Sequence, residues 1–88
     1  METKIVTGMT LDEYRNLDEY EQLLIFWMGI KVGEYAGDIY CYECRQLDSF
    51  YIELTTDGGS YVKLYPHMDT DRLDPYLDSQ DLDVLLFL

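Results

Sequence analysis

The chain predicts an α+β domain: two short N-terminal helices packed on a four-stranded antiparallel meander, followed by a short C-terminal helix and tail. Three observations carry this. Alternating apolar and polar residues with turn signals run from Ile30 to Pro66, two helix-capping signatures precede an apolar helical stretch, and Asp74-Pro75 opens a third helical pattern.

The alternation is clearest in the second half of the sheet. In Ser49-Phe50-Tyr51-Ile52-Glu53-Leu54-Thr55, Phe50, Ile52 and Leu54 share one face, and Tyr51, Glu53 and Thr55 share the other. Ser60 to Tyr65 repeats the pattern, with Val62 and Leu64 opposite Tyr61, Lys63 and Tyr65. Asp57-Gly58-Gly59 between them supplies the positive-φ positions of a tight hairpin. Upstream, Ile39 to Arg45 has strand composition and Gln46-Leu47-Asp48-Ser49 turns into the next strand. Ile39 and Cys41 are expected inward there, with Tyr40, Tyr42 and Cys44 outward. Ile30 to Tyr35 makes the first strand, with Ile30 and Val32 inward and Tyr35 outward. A slip of one residue would reverse any of these assignments.

The helices announce themselves by their caps. Thr10-Leu11-Asp12-Glu13 is a capping box that starts a short helix at Leu11, and Asp18-Glu19-Tyr20-Glu21 starts a second that runs to about Met28 with Gly29 as its stop. Leu23, Phe26, Trp27 and Ile30 form the seam expected to lie on the sheet, widened by Leu24, Ile25 and Met28. A helix this apolar is deeply buried or shared with a partner. Pro75 at the first helical position after Asp74 predicts a helix to about Asp78, and the chain closes on Val84-Leu85-Leu86-Phe87-Leu88, an apolar tail that needs a surface to pack on.

Composition narrows the function. Eighty-eight residues make one domain, residues 1–88, and a chain of this size buries only roughly 60–65 % of its unfolded surface, so self-association would help it. Eighteen acidic against six basic residues give a net charge of −12, which repels nucleic acid and anionic membranes and favours basic partners. Met1 to Ile5-Val6 lacks the apolar core of a signal peptide, and Leu23 to Ile30 is too short to span a bilayer, so the expected location is the cytoplasm.

Tests for chemistry return little. Cys41-Tyr42-Glu43-Cys44 has redox or zinc spacing, but the second ligand pair is missing and strand alternation sends the two sulfurs to opposite faces. Cys41 is therefore read as core and Cys44 as sheet surface. Asp69, Asp71 and Asp74 fail the calcium-loop pattern, which wants glycine at the sixth position where Asp74 stands. His67, the only histidine, has no nucleophile tied to it and reads as a surface residue after the last strand. No catalytic residue, metal site or cofactor is predicted.

The segments Met9 to Tyr14, Trp27-Met28-Gly29, Leu47 to Leu54 and Leu73-Asp74-Pro75-Tyr76-Leu77 together look like a group of small acidic bacterial proteins of unknown function. That resemblance implies a helix pair, an antiparallel sheet and a short terminal helix, and brings no catalytic residues with it.

The tyrosines remain. Tyr35, Tyr40, Tyr42, Tyr51, Tyr61 and Tyr65 are placed on the sheet face away from the helices. Such a face is a binding platform, because tyrosine offers rigid area with a hydroxyl; equally, tyrosine simply favours strands, and the N-terminal arm or C-terminal tail could cover it. The expected function is a non-enzymatic protein-interaction module that self-associates through this face or through a tail containing Leu86 and Phe87. An acidic decoy of a nucleic-acid-binding protein is one alternative, motivated by the aspartates from Asp69 to Asp83. A ligand or enzyme site between helix and sheet is the other, and a buried, strongly perturbed carboxylate beside His67 would raise it.

Overall fold

The computed structural model describes residues 8–77. Two helices, α1 (Leu11–Arg15) and α2 (Glu19–Phe26), precede four strands: β1 (Ile30–Ala36), β2 (Cys41–Leu47), β3 (Phe50–Asp57) and β4 (Ser60–His67). All neighbours pair antiparallel in the order β1-β2-β3-β4, the predicted meander. A 3-10 turn, Thr70–Leu73, leads into a helical turn over residues 74–77.

Local chemistry explains each element. Thr10 and Glu13 form the reciprocal capping box, with the Thr10 oxygen accepting from the Glu13 amide at 3.1 Å and Glu13 accepting from the Thr10 amide at 2.9 Å. Asp18 caps α2 by accepting from the Glu21 amide at 2.8 Å. The two helices are tied together where the Tyr14 hydroxyl donates to the Gln22 backbone carbonyl at 2.7 Å and the Gln22 side-chain Nε2 donates back to the Tyr14 backbone carbonyl at 3.0 Å. Gly58 and Gly59 both have positive φ, as the hairpin between β3 and β4 requires. α2 ends at Phe26, earlier than its sequence suggests: the Met28 and Gly29 amides tighten onto the Ile25 and Phe26 carbonyls, and Arg45 of β2 donates to the Trp27 and Gly29 carbonyls beyond.

The sheet is packed on both faces. Under the helices lie Tyr14, Phe26, Leu47, Phe50, Ile52 and Leu54. A second cluster of Cys44, Leu73 and Tyr76 occupies the far face, with Val32, Tyr35, Tyr42 and Tyr51 packed against it. The 70–77 segment thus covers part of the face that was expected to be open.

Two β-bulges correct the predicted register. On β4, Lys63 pairs with Thr55 but Tyr61 pairs with Thr56, so Val62 is an extra residue and Tyr61 swings to the helix side. There its hydroxyl donates to Glu19 of α2 at 2.9 Å. Val62, expected inward, is exposed. On β1, Lys31 pairs with Arg45 and Gly33 with Cys44, leaving Val32 as the extra residue. Val32 accordingly packs on the far-face cluster and Ile30 is exposed, where both were expected under the helices.

Candidate functional site

On the far face, β2, β3 and β4 set five side chains in one neighbourhood. Cys44 pairs with Glu53, Glu53 pairs with Tyr65, and Tyr51 pairs with His67, so strand alternation aims all five away from the helices. Glu53 and His67 are both buried. His67 is thereby corrected from a surface residue to a core one. The covering segment adds Arg72 and Tyr76 from above.

The Glu53 carboxylate is the centre of this group. Its Oε2 accepts from Arg72 Nε at 2.8 Å, and its Oε1 accepts from the second guanidinium nitrogen at 3.2 Å and from the Tyr76 hydroxyl at 3.1 Å. His67 Nε2 lies 2.7 Å from Oε2. Three hydrogen bonds therefore take three of the roughly four lone-pair positions of the carboxylate. The Arg72 contact is the two-pronged kind that gives geometric specificity as well as energy.

His67 is held by its other nitrogen. Nδ1 accepts the Asp69 amide at 3.0 Å, which assigns the neutral ring's proton to Nε2, facing Glu53. That Nε2–H approaches closely but is not aligned with any acceptor, so it remains a buried nitrogen without a full hydrogen bond. The short distance establishes proximity, and the angle denies the hydrogen bond. Tyr65 stacks on the ring at 5.4 Å and Tyr51 lies tilted at 5.9 Å, while the Arg72 guanidinium sits over Tyr65 at 4.6 Å.

The surroundings push several protons to stay on. Burial, then the charge of Glu53 and the hydrogen bond to it, raises the Tyr76 hydroxyl above the ordinary tyrosine range. Burial, with Glu53 adding and Arg72 opposing, pushes the Cys44 thiol up to about 12.

The predicted tyrosines separate into three groups. Tyr35, Tyr42, Tyr51 and Tyr65 do share the far face; Tyr35 and Tyr42 stack at 4.9 Å, and Tyr76 meets Tyr35 edge-on at 5.0 Å. Tyr61 belongs to the helix side, and Tyr40 lies exposed in the turn before β2. Leu86 and Phe87 lie outside the described residues. The cysteines reverse their predicted burial: Cys44 is fully buried and Cys41 is exposed. Cys41 does face the helix side, but α2 does not reach it.

Alternation placed Glu53 on the far face, yet its burial depends on a cover 19 residues downstream in sequence. The one available signal was Arg72, the only lysine or arginine after Lys63, set among Asp69, Asp71 and Asp74. Asp69 spends its side chain capping the 3-10 turn, where it accepts from the Asp71 amide at 3.0 Å.

The helix side carries the other candidate. Tyr20, Leu24, Trp27 and Met28 are 70, 49, 51 and 49 % exposed, and they fall on one arc of α2 and its last turn, where the Trp27 ring meets Phe26 edge-on at 5.0 Å. Beside Trp27 an open groove of about 700 Å³ runs over Lys31, Glu34, Cys41, Glu43 and Thr56, where the helices leave β1 and β2 uncovered. Arg45 braces Trp27, with its guanidinium 4.9 Å from the indole ring.

No family model, curated protein or solved structure matches this chain. Among the described residues no helix is long and apolar enough to cross a membrane, and no three His, Cys, Asp or Glu side chains stand together as a metal-binding group.

Proposed function

We propose that this protein is an interaction module that pairs with a second copy of itself through the outer side of α2. One observation carries the reading: α2 buries Phe26 in the core yet also exposes Tyr20, Leu24, Trp27 and Met28 in a continuous stripe. A helix apolar on both sides is ordinarily enclosed on both sides. Contiguous exposed apolar surface marks protein contacts, and tryptophan and tyrosine are the residues that most often anchor them.

The charge supports a homotypic contact of this kind. Copies at net −12 repel, so they meet most easily over surface without carboxylates, and the stripe itself has none. Its neighbours Asp18, Glu19 and Glu21 are acidic, which predicts an association that tightens as salt screens them. A binding role also fits the far face better than catalysis does. Although Glu53 and His67 are a buried pair of the kind that would favour an enzyme, the carboxylate is already engaged by three hydrogen bonds from Arg72 and Tyr76.

Light-scattering mass behind a sizing column, at low and high salt, tests this. Wild-type protein should run as a dimer that gains population with salt. Leu24→Glu should weaken it by about 2 kcal/mol or more, roughly thirtyfold, while leaving the fold intact because Leu24 faces solvent. A wild-type monomer at every salt concentration overturns the reading.

A further inference from the structure

The far face points to a second binding capacity, independent of α2. We propose that Glu53 and Tyr65 form a receptor for an arginine side chain from a basic protein segment, and that Arg72 is the chain's own occupant of it. The fit to a guanidinium is specific. Glu53 presents both oxygens to the planar fork at 2.8 and 3.2 Å, and Tyr65 presents its ring face at 4.6 Å. A lysine matches neither the fork nor the stacked plane.

The receptor and its occupant come from different parts of the fold. Glu53 lies on interior strand β3 and Tyr65 on the adjoining β4, both fixed by the ladder. Arg72 comes from a four-residue 3-10 turn held down by Leu73 and Tyr76, and its side chain is 45 % exposed, so it can leave without opening the sheet. Stability alone does not call for the arrangement, because apolar residues generally serve a core as well as a buried ion pair does.

A further observation is the buried His67 Nε2, which lies 2.7 Å from Glu53 and is unaligned while Arg72 is in place. It is a donor in reserve, able to turn onto the carboxylate when one guanidinium departs and before another arrives. A chain with 18 acidic and 6 basic residues attracts the cationic segments that carry such arginines.

The test empties the seat. Arg72→Met keeps an apolar stem over Tyr65 and removes the competing fork. The probes are the peptide acetyl-Gly-Arg-Gly-amide and its lysine counterpart, titrated by NMR on the Tyr65 and His67 rings. The Arg72→Met protein should bind the arginine peptide at least about tenfold more tightly than wild type and prefer it to lysine by about tenfold. Adding Glu53→Gln should abolish the gain.

A folded Arg72→Met protein with no gain over wild type, or a double variant that binds as well as the single one, overturns the proposal. Should Arg72→Met fail to fold, methylguanidinium titrated into wild type decides. Shifts at Tyr65 and His67 that methylammonium does not reproduce support exchange at the seat, and identical responses to the two cations refute it. None of these outcomes depends on whether copies pair through α2.

Discussion

Cys41 and Cys44 stand three residues apart on β2 and live in opposite surroundings. Alternation turns Cys41 to the helix side, where the exposed groove leaves it in solvent, and turns Cys44 beneath Tyr76, where it is fully buried. The thiolate is the reactive form, and burial holds the Cys44 thiol at about 12, far above neutral pH. Native protein treated with iodoacetamide near neutral pH should therefore gain one adduct, mapped by mass spectrometry to Cys41, with a second only after denaturation. Modification of Cys44 at the native rate of Cys41 would contradict the burial. The separation of the sulfurs was legible from spacing, because period two on a strand is independent of context. Which one is buried was not, because the cover over Cys44 and the gap over Cys41 are both made by residues remote in sequence.

At the scale of elements, two valines decide the face assignments. Val32 and Val62 each enter a bulge, and residues before each bulge lose their alternation with those after it. Uniform alternation read Phe50, Ile52 and Leu54 correctly because β3 runs unbroken against β2. It misread Ile30, Val32, Tyr61 and Val62 because bulged strands carry one residue too many.

The bulge on β1 has a structural purpose at Gly33, which follows Val32 and faces the far side opposite Cys44. A side chain there would place its Cβ 2.6 Å from the Tyr76 carbonyl oxygen, so the covering segment rests on bare backbone. Gly33→Ala should lift residues 70–77, cost about 1–3 kcal/mol in urea unfolding, and speed amide exchange in that segment more than in α1 and α2. Unchanged stability and exchange would mean that Tyr76 does not seat on Gly33 as described.

As a whole, the molecule divides a small number of apolar residues between two clusters on either side of one sheet, and seals one of them with buried hydroxyl and thiol groups. That choice sets its alkaline limit. Burial raises Tyr14, Tyr76 and Cys44, so the folded state keeps protons that the unfolded chain gives up from its ordinary values of 10.0 for tyrosine and 9.0 for cysteine. Stability from these groups is complete below about pH 9 and falls as pH rises through the folded values, beginning with Cys44, whose share is gone above about 12. Urea midpoints measured from pH 8 to 11 should hold to about pH 9 and decline above it. A Cys44→Ser, Tyr76→Phe variant should show a shallower decline, and a flat wild-type profile would contradict the burial of these protons.

The amino-acid sequence by itself determined the fold class, the two capped helices, the meander order, the Gly58-Gly59 hairpin and the helix-side core of Phe50, Ile52 and Leu54. Caps and tight turns act over a few residues, and the periodicity of β3 held because its pairing with β2 is unbroken. Tertiary structure alone decided the rest: Tyr61 meeting Glu19, Glu53 enclosed with His67 by Arg72 and Tyr76, and α2 left with apolar side chains on its outer surface. Each of these depends on which segment comes to lie over which face, and that choice is made by contacts between residues far apart along the chain.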